Sequence, residues 1–309
     1  MAKGKKDANA PKDRWYSTPR GLLNPVHRVS VIVVGAGGTG SHFLYGLAEL
    51  HATLQMLGHP GFAVAVYDDD VVEAHNPGRQ RFGVHDVGLA KCVAIVARLN
   101  RMYNLDWSAK PNRLSNPEKW SSLMPNIIVT CVDHDETRTH VHKAFREALR
   151  RTDRNIAEIE EVEHGELLTA HYWLDMGNGK DFGQAVLGSR QLMDTYQLHG
   201  ANLEHSNEPS CSMEESLRRQ DLFINAHVAN LGLIMLWNLF RRGGIKDNVA
   251  YTTIEDGQIR TRTTCKPVKH ERKSKDQGNA AGKNRHKPVR QRRRIRTPLA
   301  EEPETRPEG

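Results

Sequence analysis

Val29-Ser-Val-Ile-Val-Val34, followed by Gly35-Ala-Gly-Gly-Thr-Gly40 and Ser41, is the stretch on which the fold turns. The first six residues are a short, β-branched apolar run, the pattern of a strand buried in a parallel sheet. The glycines fit G-x-G-x-x-G between a strand and a helix, where backbone N–H groups and a helix N-terminus receive phosphate. This spacing points to a nucleotide site without separating NAD from ATP. The bland alternative is a turn that only lets helix and strand pack closely.

Working outward, Phe43, Leu44, Leu47, Leu50, Leu54 and Leu57 recur at helical spacing over residues 41–57. Residues 62–67 read as a second strand ending in Asp68, Asp69 and Asp70, residues 91–102 as a helix, and residues 127–132 as a strand ending at Asp133. Residues 137–150 place Val141, Ala144, Phe145, Ala148 and Leu149 on one helical face. Strands alternating with helices predict an α/β fold: a Rossmann-like, doubly wound, mostly parallel sheet flanked by helices. Farther on, residues 167–174 and 184–187 flank Asp175-Met-Gly-Asn-Gly179, read as the turn of an added antiparallel hairpin. Residues 190–212 read as loop and 222–240 as a long, largely buried helix.

The 309 residues, 38% hydrophobic and 26% charged, exclude wholesale disorder. The net charge of +7 is unevenly placed: residues 1–20 contribute +4 and residues 266–309 contribute +8, which leaves −5 on residues 21–265. The expected organisation is a disordered basic arm (1–20), one folded domain (21–265) and a disordered basic tail (266–309). Arg290, Arg292, Arg293, Arg294 and Arg296 in the tail suit nonspecific nucleic-acid binding, with a solvated extension as the alternative. The apolar run from Leu231 through Phe240 is shorter than the roughly 20 residues of a membrane span. With no apolar segment in residues 1–20 either, a cytoplasmic protein without membrane contact is expected. Cys92, Cys131, Cys211 and Cys265 form no C-x-x-C pair, so neither a disulfide framework nor a structural zinc is expected.

Asp68 stands where an acid accepts hydrogen bonds from ribose hydroxyls. Asp70, Asn76, Arg79, Gln80 and Lys91 follow, and such residues suit triphosphate handling, because Arg and Lys neutralise phosphate oxygens and an amide orients them. A NAD dehydrogenase leaves Arg79, Lys91 and Asp133 unexplained. Asp133, at the carboxyl end of a later strand, is a natural Mg²⁺ ligand beside a triphosphate or, alternatively, a helix cap.

These residues resemble a known family. Asp68-Asp-Asp70-Val-Val-Glu-Ala-His-Asn76-Pro-Gly-Arg79-Gln80 is similar to the D-x-D-x-V-x-x-x-N-x-x-R-Q signature of the ThiF/MoeB/ubiquitin-activating superfamily. Gly35, Gly37, Gly38 and Gly40 resemble its glycine loop, Lys91 its lysine, Cys131-Val-Asp133 through Arg138 its C-x-D-x-x-x-x-R segment, and residues 175–184 its glycine-rich hairpin ending in Gly183-Gln184. Within the superfamily, the 173–179 stretch and Pro209-Ser-Cys211-Ser look like the ThiF-type proteins of plasmid-borne PRTRC cassettes.

The resemblance implies ATP- and Mg²⁺-dependent adenylation of the C-terminal glycine of a small ubiquitin-like protein, giving acyl-adenylate and pyrophosphate. It also implies a homodimer and a downstream conjugating protein. By carry-over Asp68 holds the ribose, Asn76 and Arg79 the phosphates, Lys91 the α-phosphate region and Asp133 the Mg²⁺, and the 175–184 hairpin borders the channel for the partner's tail. For thioester chemistry Cys211 is the candidate: Cys131 and Cys92 read as packing residues, and Cys265 lies at the edge of the tail. The family's R-x-x-R-Q arm has no match in pattern, which leaves Arg14, Arg20 and Arg28 as candidates to act in the neighbouring subunit. His134 stands where asparagine is usual. Two other readings compete, an ATP-dependent tRNA-modifying dehydratase of the same superfamily and a non-catalytic nucleotide-binding assembly factor.

Overall fold

Val29, Val31 and Val33 enter one apolar cluster while Ile32 and Val34 enter another, so the strand they form is buried on both faces. That is the position of a central parallel strand covered by helices on both sides. The computed structural model describes residues 15–114, 125–132, 135–158, 170–190, 192, 221–255 and 258–264, all inside one compact unit, Met1–Val268.

In chain order the elements are β1 (Tyr16–Ser17), α1 (Arg20–Leu23), β2 (Val29–Val34), α2 (Gly38–Met56), β3 (Phe62–Tyr67), α3 (Lys91–Tyr103), β4 (Ser108–Lys110) and β5 (Ile127–Thr130). There follow α4 (Asp135–Glu158), β6 (Tyr172–Asn178), β7 (Phe182–Ser189), α5 (Ile224–Arg242), β8 (Gly244–Ile245), β9 (Val249–Glu255) and β10 (Gln258–Thr264). Among the described residues the main sheet has the order β10-β9-β7-β6-β5-β2-β3-β4. Strands β6, β5, β2, β3 and β4 run parallel, and β7, β9 and β10 add antiparallel. This is the expected mostly parallel sheet with an antiparallel extension.

Helices α2, α3 and α5 bury Phe43, Leu44, Ile95, Leu99, Leu236 and Leu239 on one face, against Val31, Val33, Val64 and Leu174. Helix α4 buries Val141, Phe145 and Leu149 on the other, against Ile32, Ile128 and Trp173. Each fully buried large aliphatic or aromatic side chain contributes about 1.5–3 kcal/mol, so these two layers are the main stabilising element. Gly232 lets α5 lie close on the sheet, since a Cβ there would meet Met176 Sδ at 2.4 Å. Helix α5 ends at Gly243, whose φ of +71° suits the left-handed C-terminal cap.

The structure revises the expected boundaries in two places. Residues 15–20, expected in the disordered arm, are held: Tyr16–Ser17 pairs with Gly244–Ile245, the Thr18 hydroxyl donates to Leu239 O at 2.9 Å, and Leu22 just beyond is fully buried. A polar, proline-containing stretch gives no periodic signal, but its backbone finds partners on a distant segment. Asp175, Met176, Gly177 and Asn178, expected in a turn, are strand residues paired with Val186, Ala185, Gln184 and Gly183. The turn itself is residues 179–181. Strands β4, β9 and β10 have no counterpart in the pattern reading. Among the described residues no helix is long and apolar enough to cross a membrane. Most of the loop expected over residues 190–212 lies outside the described residues.

Candidate functional site

The glycine loop leaves β2 at the carboxyl edge of the sheet and its glycines are not equivalent. At Gly35, where φ is +94°, a Cβ would approach Cys131 O to 2.7 Å; at Gly38 it would meet Asn225 Oδ1 at 2.4 Å, and at Gly40 the Gly35 carbonyl at 2.0 Å. These three are required by close packing. Among the described residues a Cβ on Gly37 meets nothing within 4 Å, so among them the loop opens at the residue that caps α2. The first N–H groups of a helix lack intrahelical acceptors and attract anions. An open backbone there, between crowded glycines, fits a phosphate group. Behind it the Thr39 hydroxyl donates to Asn178 Oδ1 at 2.9 Å and lies 3.2 Å from Asn225 Oδ1, which ties α2 to the end of β6 and the start of α5.

Asp68 joins β3 to the loop. Its Oδ2 accepts from Ala36 N at 2.5 Å and its Oδ1 from Asp70 N at 3.0 Å. Burial lifts its carboxyl above the usual carboxylate range, opposed by the Ala36 amide and by Lys91. Lys91, buried at the first position of α3, pairs its Nζ with Asp70 Oδ2 at 2.7 Å while Asp70 stays largely exposed. Asp68, Asp70 and Lys91 therefore meet beside the glycine loop. Cys92 is fully buried, donates to Asp68 O at 3.4 Å, and burial raises its thiol pKa, the reverse of what a reactive thiol needs.

Asn76 and Gln80 build the adjoining loop from inside. Asn76 is 2% exposed, and its Oδ1 accepts from Glu73 N at 2.9 Å while its carbonyl accepts from Gln80 N at 3.0 Å. Gln80 is 6% exposed and its Oε1 has no hydrogen-bond partner among the described residues. Arg79 is half-buried, with its carbonyl 3.3 Å from His42 Nε2. Asp133, His134 and Cys211 lie outside the described residues. Among the described residues no group of three His, Cys, Asp or Glu is arranged to hold a metal ion. Of the arginines considered for the neighbouring subunit, Arg14 is outside the described residues, Arg20 is exposed on α1, and Arg28 is paired with Asp106. Arg28 precedes β2, at the end of the sheet remote from the loop.

Residues 14–150 match the ThiF family. No curated protein matches the sequence. Several solved structures share the fold. Escherichia coli MccB with MccA-N7isoAsn is 16% identical with a TM-score of 0.52, covering 76% of this chain and 64% of that one. E. coli MccB with AMPCPP and selenomethionine-labelled MccA is 16% identical with a TM-score of 0.50, covering 76% and 63%. The microcin C7 biosynthetic enzyme MccB with N-formylated MccA gives the same identity and TM-score, covering 76% and 64%. The chain thus spans less than two thirds of the MccB chains.

A buried arrangement joins two of the motifs. Asp175, 1% exposed, accepts from Arg138 Nε at 3.2 Å and from the Thr130 hydroxyl. Arg138 also donates to Met176 O at 3.2 Å, and Trp173 Nε1 donates to Thr130 Oγ1 at 2.9 Å. Pattern reading quoted Arg138 and Asp175 separately and assigned neither this partner. It gave no individual role to Ser41, His42, Asn178 or Asn225, because each acts through a neighbour distant in sequence.

Proposed function

We propose that the protein is an adenylating enzyme that activates the C-terminal glycine carboxylate of a small ubiquitin-like protein. The observation that carries this reading is the open backbone at Gly37, beside Asp68 and Lys91. The ThiF-family match supports it, as does the likeness to MccB solved with a nucleotide analogue and MccA. A carboxylate oxygen attacks the α-phosphorus, an acyl-adenylate forms, and the α–β phosphoanhydride breaks to release pyrophosphate. A C-terminal carboxylate is already ionised at neutral pH, so no side-chain base is needed and catalysis rests on alignment and charge stabilisation. Asp68 is assigned to the ribose, Lys91 to the α-phosphate region after exchanging its Asp70 contact, and Arg79 to the leaving phosphates. Asn76 and Gln80 fold the loop that presents Arg79. Asp133 would hold Mg²⁺, which offsets phosphate charge.

ATP–pyrophosphate exchange, measured with and without small Gly-terminated proteins encoded beside this gene, tests the reading. Exchange that depends on one such protein is expected, and exchange stimulated by none would overturn it. Asp133→Ala should abolish that exchange without lowering the thermal midpoint; full exchange in this variant would remove Asp133 from the metal site.

A further inference from the structure

Resting on the nucleotide reading above, we propose that His42 is a positioning residue for Arg79. Its neutral imidazole bridges the Arg79 backbone and the Arg81 side chain, fixing the phosphate-binding arginine against the first turn of the helix that carries the glycine loop. Arg81 Nε donates to His42 Nδ1 at 3.2 Å, so Nδ1 carries no hydrogen. The remaining ring hydrogen is then on Nε2, which faces Arg79 O at 3.3 Å. A single neutral tautomer satisfies both contacts. The residue before it adds two more, because Ser41 Oγ accepts from Arg81 N and donates to Gly38 O, each at 3.0 Å. Consecutive residues of α2 therefore hold both flanks of residues 79–81, one turn from the open Gly37.

The surroundings favour the uncharged ring. The Arg81 guanidinium lies over the Tyr45 ring at 5.6 Å. Arg98 donates to Arg81 O at 3.0 Å and to Tyr45 Oη at 3.3 Å, and pairs with Asp86. Among the described residues the charged side chain that meets the ring is Arg81, while Arg98, paired with Asp86, holds the Arg81 carbonyl. Burial lowers the His42 pKa, opposed by the Arg79 carbonyl, which raises it, and Arg81 adds to the lowering. Protonation at Nδ1 would set a donor against the Arg81 donor and break the bridge. The hold on Arg79 then slackens as pH falls.

The test is equilibrium binding of MgATP and of AMP to the full chain by titration calorimetry. Arg79 is assigned to phosphates that AMP lacks, so the ATP-over-AMP preference reports its placement. His42→Phe keeps a ring and makes neither bond; its ATP affinity should fall on the order of tenfold, with AMP affinity moving far less. His42→Gln offers an amide donor and acceptor and should recover most of that loss. Between pH 7.5 and 5.5 the wild-type preference should shrink more than that of His42→Gln; protonation of ATP itself is common to both proteins. Wild-type ATP affinity in His42→Phe, or matching pH profiles for wild type and His42→Gln, overturns this inference alone. If His42→Phe fails to fold, the pH comparison decides. A wild-type chain with no preference for ATP overturns the nucleotide reading and this inference with it.

Discussion

The Arg138 guanidinium and the Asp175 carboxylate meet in the interior, Nε to Oδ1 at 3.2 Å, with side chains 3% and 1% exposed. The pair bolts the start of α4 to β6, and Thr130, Met176 and Trp173 take up neighbouring bonds. Removing one partner leaves the other charged and buried, which costs about 3–5 kcal/mol. Arg138→Ala and Asp175→Ala are each expected to lower the unfolding free energy by about that amount in urea denaturation. The double variant Arg138→Met/Asp175→Leu should lose less than either. Strictly additive losses would show that the two are not coupled.

The glycine loop separates folding from binding at single positions. Gly40→Ala drives a Cβ into the Gly35 carbonyl, and a loss of about 1–3 kcal/mol is expected, as for overpacking. Gly37→Ala meets nothing among the described residues. It should cost on the order of 1 kcal/mol or less yet weaken ATP binding, because the methyl group occupies the space assigned to phosphate. ATP binding at wild-type strength in Gly37→Ala would relocate the phosphate site.

Two imidazoles hold the entry to β3: His51 Nδ1 accepts from Phe62 N at 3.0 Å and His59 Nδ1 from Gly61 N at 2.9 Å. Burial, reinforced by Arg28, lowers the His51 pKa, and burial does the same at His42 and His142. A folded-state pKa below the unfolded value of about 6.5 means that the unfolded chain binds more protons in that interval. The stabilising contribution is therefore complete above about pH 6.5 and is lost as pH falls below it. Unfolding free energies at pH 7.5 and 5.5 should differ less in His51→Asn, whose Oδ1 can take the Phe62 amide without titrating. An equal difference in wild type and variant would clear His51 of the effect.

Should the acyl-adenylate pass to a thiol, Cys211 remains the proposed acceptor, since Cys92 and Cys131 are both buried. A reducing-agent-sensitive adduct with the cognate partner is expected in wild type and not in Cys211→Ala. An adduct that survives the substitution would exclude Cys211.

The local sequence determined two central strands of the parallel half, β2 and β3. Val29–Val34 and Phe62–Tyr67 became strands at the residues their apolar runs marked, because a parallel strand between helix layers is largely apolar on both faces. The glycine spacing likewise announced a tight turn, since no other residue fits at Gly35 or Gly40. Tertiary structure decided what short-range pattern does not encode. Asp175-Met-Gly-Asn has a turn's composition yet is strand, because β5 and β7 pair with its backbone, Arg138 satisfies its carboxylate, and Gly232 lets α5 lie against it. Gln258–Thr264 alternates too weakly to declare itself and is a strand because β9 lies beside it. His42, read from sequence, is one polar residue on a helix; the fold alone brings Arg79 and Arg81 to its two nitrogens. Burial patterns are written along the chain, whereas hydrogen-bond partners between segments exist only once the chain has closed on itself.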